Sequence, residues 1–308
     1  MKKDLSARHA SLYQFWERIK TNKPVSQGEW NEQVYYLSQS GIGTEEALKF
    51  IYTKQPSYEA FLDWQEQTYQ SGRSATHMLE GDMLTKDDLA FWEQNGYLVI
   101  PNAVSDEECA AARAAIWQYL DANAETPESW YQQNAGKNGM MLSLFQHPAL
   151  DSNRHSPKIR KVYEELYNGT DIYLLVDKVS FNPPETLTST FIGSALHWDV
   201  SLHLPIPFVL QGLLYLNDVT AEDGAFHCVP GFHKQIDSWI AGLPENTDPR
   251  GAAVQELNPI PVPGNAGDLV IWHQALPHCA TPNKGKVPRM VQYIAYKPVK
   301  VEEAALWK

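Results

Sequence analysis

The sequence predicts an α+β protein, mainly β with flanking helices. A double-stranded β-helix, a cupin-like jelly roll, is expected behind an N-terminal helical extension. Two patterns predict it. Before residue 80, apolar residues recur at helical spacing; from Asp171 onward, short β-rich runs are separated by clusters of Pro, Gly, Asn and Asp. The second rhythm suits an antiparallel double sheet whose mouth encloses a ligand. The expected division is a helical extension over residues 1–80 and a β-helix domain over 81–308.

Taken in order, residues 7–72 read as helices: Leu12, Phe15, Trp16 and Ile19 share one face, as do Leu48, Ile51 and Tyr52. Thr44 ahead of two glutamates is the expected cap of the second group. This extension reads as a packing layer or a homodimer contact, with a lid over the site as the alternative. Residues 70–84 look like a connector. Thr85 with Asp88 forms a capping box for a helix ended by Gly96, and Ser105 before three acids caps an amphipathic helix through Leu120. Ser156-Pro157 opens another helix. Strands are expected over 172–181, 195–204, 208–216, 225–229, 269–273 and 288–296; the Pro-rich 259–264 segment must be an edge or a loop, because proline cannot donate to a ladder.

Composition narrows the function classes. A net charge of −12 argues against nucleic acid, whose phosphates call for a basic face. No apolar run reaches membrane-spanning length, so no membrane partner is expected. The start MKKDLSARHA lacks the apolar core of a secretory signal, and three scattered cysteines do not make a disulfide framework, so a cytoplasmic location is expected.

The chemistry concentrates in two stretches. His197 and Asp199 stand two apart in a run with strand character, so both point to one face. An imidazole and a carboxylate so placed are two thirds of a 2-His-1-carboxylate iron site; a surface pair, or an aspartate orienting a histidine, is the alternative. Downstream, 267–296 supplies His278 and, eleven residues later, Arg289.

These stretches resemble the phytanoyl-CoA dioxygenase family of Fe(II)/2-oxoglutarate-dependent oxygenases. The matching residues are His197-Trp198-Asp199, Leu216-Asn217-Asp218-Val219 with Gly224, Val229-Pro230-Gly231-Phe232-His233-Lys234, Gly267-Asp268 with His273, and His278, Asn283 and Arg289 in order. Upstream, residues 178–184 and 91–101 match its entry elements, so the resemblance runs from about Leu84 to Pro298. It implies that His197, Asp199 and His278 bind Fe(II), and that Arg289 holds the far carboxylate of 2-oxoglutarate. Lys178 and Thr281 are implied as further contacts to that co-substrate, with a lysine snorkelling to solvent as the alternative for Lys178. Dioxygen completes the set, and 2-oxoglutarate is decarboxylated to succinate and CO2. The charges close: Fe(II) cancels the co-substrate dianion, and Arg289 balances Asp199.

Two departures from the family pattern stand out. Ala280 replaces the usual serine two residues after the distal histidine, and Leu213 replaces a tryptophan found in some members. They feed a second hypothesis, a non-catalytic jelly roll that binds metal or ligand. Retention of the Asp199 carboxylate points away from halogenation and toward hydroxylation of a small-molecule substrate, or desaturation or cyclisation by the same chemistry. His273 is expected to orient a metal ligand by hydrogen bond, and the two metal-binding stretches are expected to arrive from opposite sheets.

Overall fold

Capping chemistry fixes where many helices begin. The computed structural model describes residues 2–69, 79–189, 191 and 193–300. Its helices are α1 (Lys2–Thr21), α2 (Gln27–Gln39), α3 (Thr44–Lys54), α4 (Tyr58–Tyr69), α5 (Lys86–Asn95), α6 (Asp106–Leu120), α7 (Pro148–Arg154), α8 (Pro157–Leu166), α9 (Ile236–Gly242) and α10 (Pro249–Glu256). Ser26/Glu29, Thr85/Asp88 and Ser105/Glu108 form reciprocal capping boxes on α2, α5 and α6. The expected Thr44 cap is displaced by one residue: Gly43 is the N-cap and Thr44 the first helical residue. There is room for little else, since a Cβ on Gly43 would lie 2.8 Å from the Val176 carbonyl. Most of the expected connector, residues 70–78, lies outside the described residues.

The strands are β1 (Tyr97–Ile100), β2 (Lys137–Asn138), β3 (Met141–Leu142), β4 (Ile172–Leu175), β5 (Val179–Asn182), β6 (Leu210–Tyr215), β7 (Phe226–Cys228), β8 (Ile260–Val262), β9 (Leu269–His273), β10 (His278–Ala280), β11 (Arg289–Tyr293) and β12 (Ala295–Pro298). All pairings are antiparallel. The large sheet runs β1-β9-β6-β11-β5-β3-β2, the small one β10-β7-β8, and β12 pairs with β4. β8 takes the edge of the small sheet, where Pro261 costs no ladder bond.

Side-chain alternation splits the apolar interior. Even positions of β6 and β11, such as Leu214 and Met290, face the layer that holds Ile116 of α6 and Val162 of α8. Odd positions, Leu213, Tyr215 and Val291, face the small sheet with Phe226, Trp198 and Leu276. A third cluster (Leu12, Phe15, Leu37, Ile51 and Phe61) belongs to α1–α4. That layer rests on β4, where Tyr35 meets Tyr173 edge-on at 5.2 Å and the Ser38 hydroxyl donates to the Leu174 carbonyl.

Two expectations are corrected. Residues 195–204 do not form a strand; His197 alone makes a ladder bridge, to His278. The reason lies in where the carbonyls go, because the Arg250 guanidinium takes those of Trp198 and Val200, each at 2.7 Å. Nor do the two metal-binding stretches come from opposite sheets. They are neighbours on the small sheet, and Arg289 is the group that arrives from the large one. Between β7 and β8 the chain carries α9 and α10.

Candidate metal site and co-substrate pocket

His197 and His278 exchange both backbone hydrogen bonds, N–H of each to the carbonyl of the other, at 3.0 and 2.9 Å. Residues 81 apart in sequence thereby become an antiparallel pair with both side chains on one face, ring centroids 4.6 Å apart. Asp199 follows two residues on: its Oδ1 lies 3.6 Å from His197 Nε2 and its Oδ2 3.1 Å from His278 Nε2. One ligand atom from each of the three falls within 4.8 Å of the other two.

The tautomers suit a cation. His197 Nδ1 lies 2.8 Å from the Ala195 carbonyl and His278 Nδ1 3.2 Å from the Leu276 carbonyl, so Nδ1 carries the hydrogen and Nε2 keeps its lone pair. Burial and then the neighbouring His278 ring push the His197 pKa down, favouring the neutral ring a metal needs. Burial would raise the Asp199 carboxyl, but the adjoining His278 ring, the donated Gln211 amide and the His197 ring win and hold it well below the usual carboxylate range.

Asp199 is further placed by groups that sequence reading did not single out. Arg250 of α10 clamps the carbonyls on either side of it. Gln211 Nε2 donates to Asp199 Oδ2 at 2.8 Å, and Trp272 Nε1 donates to Gln211 Oε1 at 3.0 Å. Trp198, 1% exposed, donates its indole N–H to the Ala275 carbonyl and so anchors the turn into His278.

Arg289 is the second centre. It is 1% exposed, its guanidinium lies 5.8 Å from the Tyr215 ring centroid, and it has no carboxylate partner among the described residues. Its Nη1 reaches only Met140 Sδ, at 3.9 Å. Two polar atoms on this row lack partners: Arg289 Nε and Asn182 Oδ1. Register explains the grouping, because β5 sets Asn182 opposite Arg289. A buried guanidinium without an anion is costly, and a dicarboxylate reaching it from the His/Asp/His cluster would relieve that cost. The donor set therefore fits iron, and the orphaned guanidinium fits 2-oxoglutarate. A cleft of about 230 Å³, lined by Met140, Asn182, Phe181 and Phe191, opens alongside.

The other expected contacts fall out differently. The Lys178 ammonium, expected at the co-substrate, pairs with Glu45; α3 brings that carboxylate across to the strand. Thr281 is engaged through its backbone carbonyl, which accepts from Asn182 Nδ2 at 3.3 Å. His273 does not bond a metal ligand. Its Nδ1 accepts from Ala275 N, and its ring packs on Phe208 and His233. Lys297, half-buried on β12, is held below the ordinary lysine range by burial against the pull of Asp177 and Asp199.

Together these features define a class, the 2-oxoglutarate-dependent non-haem iron dioxygenases, with iron, 2-oxoglutarate and dioxygen as the reactive set. The phytanoyl-CoA dioxygenase (PhyH) family model matches residues 92–291, and the chain belongs to that family. Ectoine dioxygenase of Bordetella bronchiseptica is 23% identical over 234 residues, 70% of this chain and 76% of its own. The peroxisomal phytanoyl-CoA dioxygenase of Mus musculus is 26% identical over 236 residues, 68% and 67% of the two chains. Among solved structures, the non-haem α-ketoglutarate-dependent carbocyclase SnoK from nogalamycin biosynthesis superposes with a TM-score of 0.52 at 22% identity, covering 73% of this chain and 89% of that one. The epimerase SnoN of the same biosynthesis gives 0.52 at 20%, covering 71% and 85%. The structural likeness establishes a shared fold. Among the described residues, no helix is long and apolar enough to cross a membrane.

Proposed function

We propose that this protein hydroxylates an aliphatic C–H bond of a small molecule, coupled to decarboxylation of 2-oxoglutarate to succinate and CO2. In this reading residues 81–308 form a double-stranded β-helix, and residues 1–80 form a helical layer built onto it. His197, Asp199 and His278 hold the iron, and Arg289 takes the distal carboxylate of 2-oxoglutarate. The ferrous ion supplies dioxygen activation driven by oxidation of the co-substrate.

The chain's own residues do the rest. Both imidazoles present Nε2 because their Nδ1–H groups are spent on backbone carbonyls. Phe226 and Trp272, with ring centroids 5.8 and 5.3 Å from His278, shield that ligand from water. The observation that carries the reading is the buried, partnerless Arg289 on the sheet face opposite the His/Asp/His cluster.

The test is anaerobic loading with Fe(II) and 2-oxoglutarate, followed by oxygen and a screen of metabolites for stimulated succinate formation. Product gaining one oxygen atom supports hydroxylation. Product losing two hydrogens instead would replace it with desaturation or ring closure, and succinate formation undiminished in His278→Ala would overturn the site.

A further inference from the structure

Asp199 is a carboxylate with two oxygens that the fold treats differently. Oδ2 receives the Gln211 amide at 2.8 Å and lies 3.1 Å from His278 Nε2, whereas Oδ1 receives no amide and has His197 Nε2 as its ring neighbour at 3.6 Å. Gln211 cannot easily present its other end. It is the direct cross-strand partner of Trp272 between β6 and β9, and the indole N–H, a donor only, occupies the amide oxygen at 3.0 Å. The NH2 end must therefore face the carboxylate. The relay Trp272–Gln211–Asp199 runs from a buried strand pair to an aspartate whose own segment lacks a ladder beyond His197.

We propose that Gln211 is a positioning residue that makes Asp199 a one-oxygen metal ligand, with Trp272 holding the amide in the required sense. This rests on the metal assignment above. The count of sites explains why it matters. Six positions on the ion are shared by three protein atoms, two from 2-oxoglutarate and one for dioxygen. An aspartate free to bind through both oxygens takes the position dioxygen needs. Gln211 occupies the second oxygen with a neutral donor, so the carboxylate keeps its charge and loses the option of chelating. The same bond stops the half-exposed carboxylate from rotating into solvent, which Arg250, acting on the backbone, cannot do.

The test compares Gln211→Leu, which keeps the volume and deletes the amide, with Trp272→Phe, which keeps the ring and deletes the N–H. Apoprotein is titrated with Co(II) alone, following the visible d–d bands and the dissociation constant, and turnover is measured separately. Gln211→Leu is expected to weaken Co(II) binding roughly tenfold, in keeping with other partners of metal ligands. It should also move the bands toward the fainter pattern of higher coordination and lower kcat while leaving KM for 2-oxoglutarate unchanged. Trp272→Phe should shift the bands the same way, by less. Wild-type affinity and spectrum in Gln211→Leu would overturn the proposal. Should circular dichroism show that variant unfolded, an unchanged spectrum in folded Trp272→Phe overturns it instead. Co(II) binding that survives His197→Ala intact would be a different failure, that of the metal site itself.

Discussion

Arg289 stands on a strand paired on both sides and is 1% exposed, while Asp199 stands on an irregular segment with 53% of its side chain exposed. The proposed function puts both in one site. The arginine is held by register and burial: its neighbours Val291 and Tyr215 are fixed by the ladder, and nothing needs to bond its headgroup for its position to be set. The aspartate is held by hydrogen bonds from side chains on other elements, Arg250 behind it and Gln211 in front. A group with no freedom to leave can be kept unsatisfied until a ligand arrives. A group near solvent must be tied down in advance.

That contrast predicts opposite responses to mutation. Asp199→Ala or His278→Ala should remove metal binding and lower turnover by well over the roughly 10–100-fold seen for residues that only touch ligands, checked by metal content after gel filtration and by succinate formation. Arg289→Met should leave metal binding intact and raise KM for 2-oxoglutarate by roughly 10–100-fold, the value of a charge-assisted pair worth about 1.5–3 kcal/mol. In thermal denaturation without 2-oxoglutarate, the same variant should be more stable than wild type by about 1–3 kcal/mol, because it deletes a buried charge that has no partner. A less stable Arg289→Met would mean that the guanidinium is satisfied within the fold and that the contrast is misdrawn.

A smaller effect concerns pH. Burial, and then the charge His233 would carry, lower the His273 pKa from 6.5 to about 4. Between those values the unfolded chain takes up a proton that the folded ring refuses, so stability present above pH ~6.5 is lost progressively down to about 4, by roughly 3 kcal/mol in all. Urea titrations across that range should show a shallower acid decline in His273→Asn, which keeps an acceptor for Ala275 N. Smallest is the tie between the helical layer and the sheet. Glu45 is half-exposed, so Glu45→Gln should cost less than about 1 kcal/mol. It should also leave KM for 2-oxoglutarate unchanged; a tightened KM would show that Lys178 had been competing between Glu45 and the co-substrate.

The clustered residues His197, Asp199 and His278 were legible because their chemistry is written in residue type and local spacing. His-x-Asp is a two-residue pattern, and Arg289 sits at a fixed step from His278 on a Val- and Tyr-bearing strand. Cap signals placed α5 and α6 for the same reason. What sequence could not show was contact across elements. The 195–204 run alternates like a strand, yet α10 supplies, from Arg250, the guanidinium that takes the carbonyls of Trp198 and Val200. Gln211 reads as one polar residue in an apolar strand until β9 sets Trp272 beside it. Lys178 looked available because nothing in the sequence says that α3 will deliver Glu45 to it.

The mutual main-chain bonds of His197 and His278 belong to the peptide, so trimming either imidazole to a methyl group leaves the seat it filled still tethered on both sides. Free imidazole added to His197→Ala should therefore restore a measurable part of the lost turnover, and chemical complementation becomes a way to build the iron's surroundings from the bench rather than from the gene.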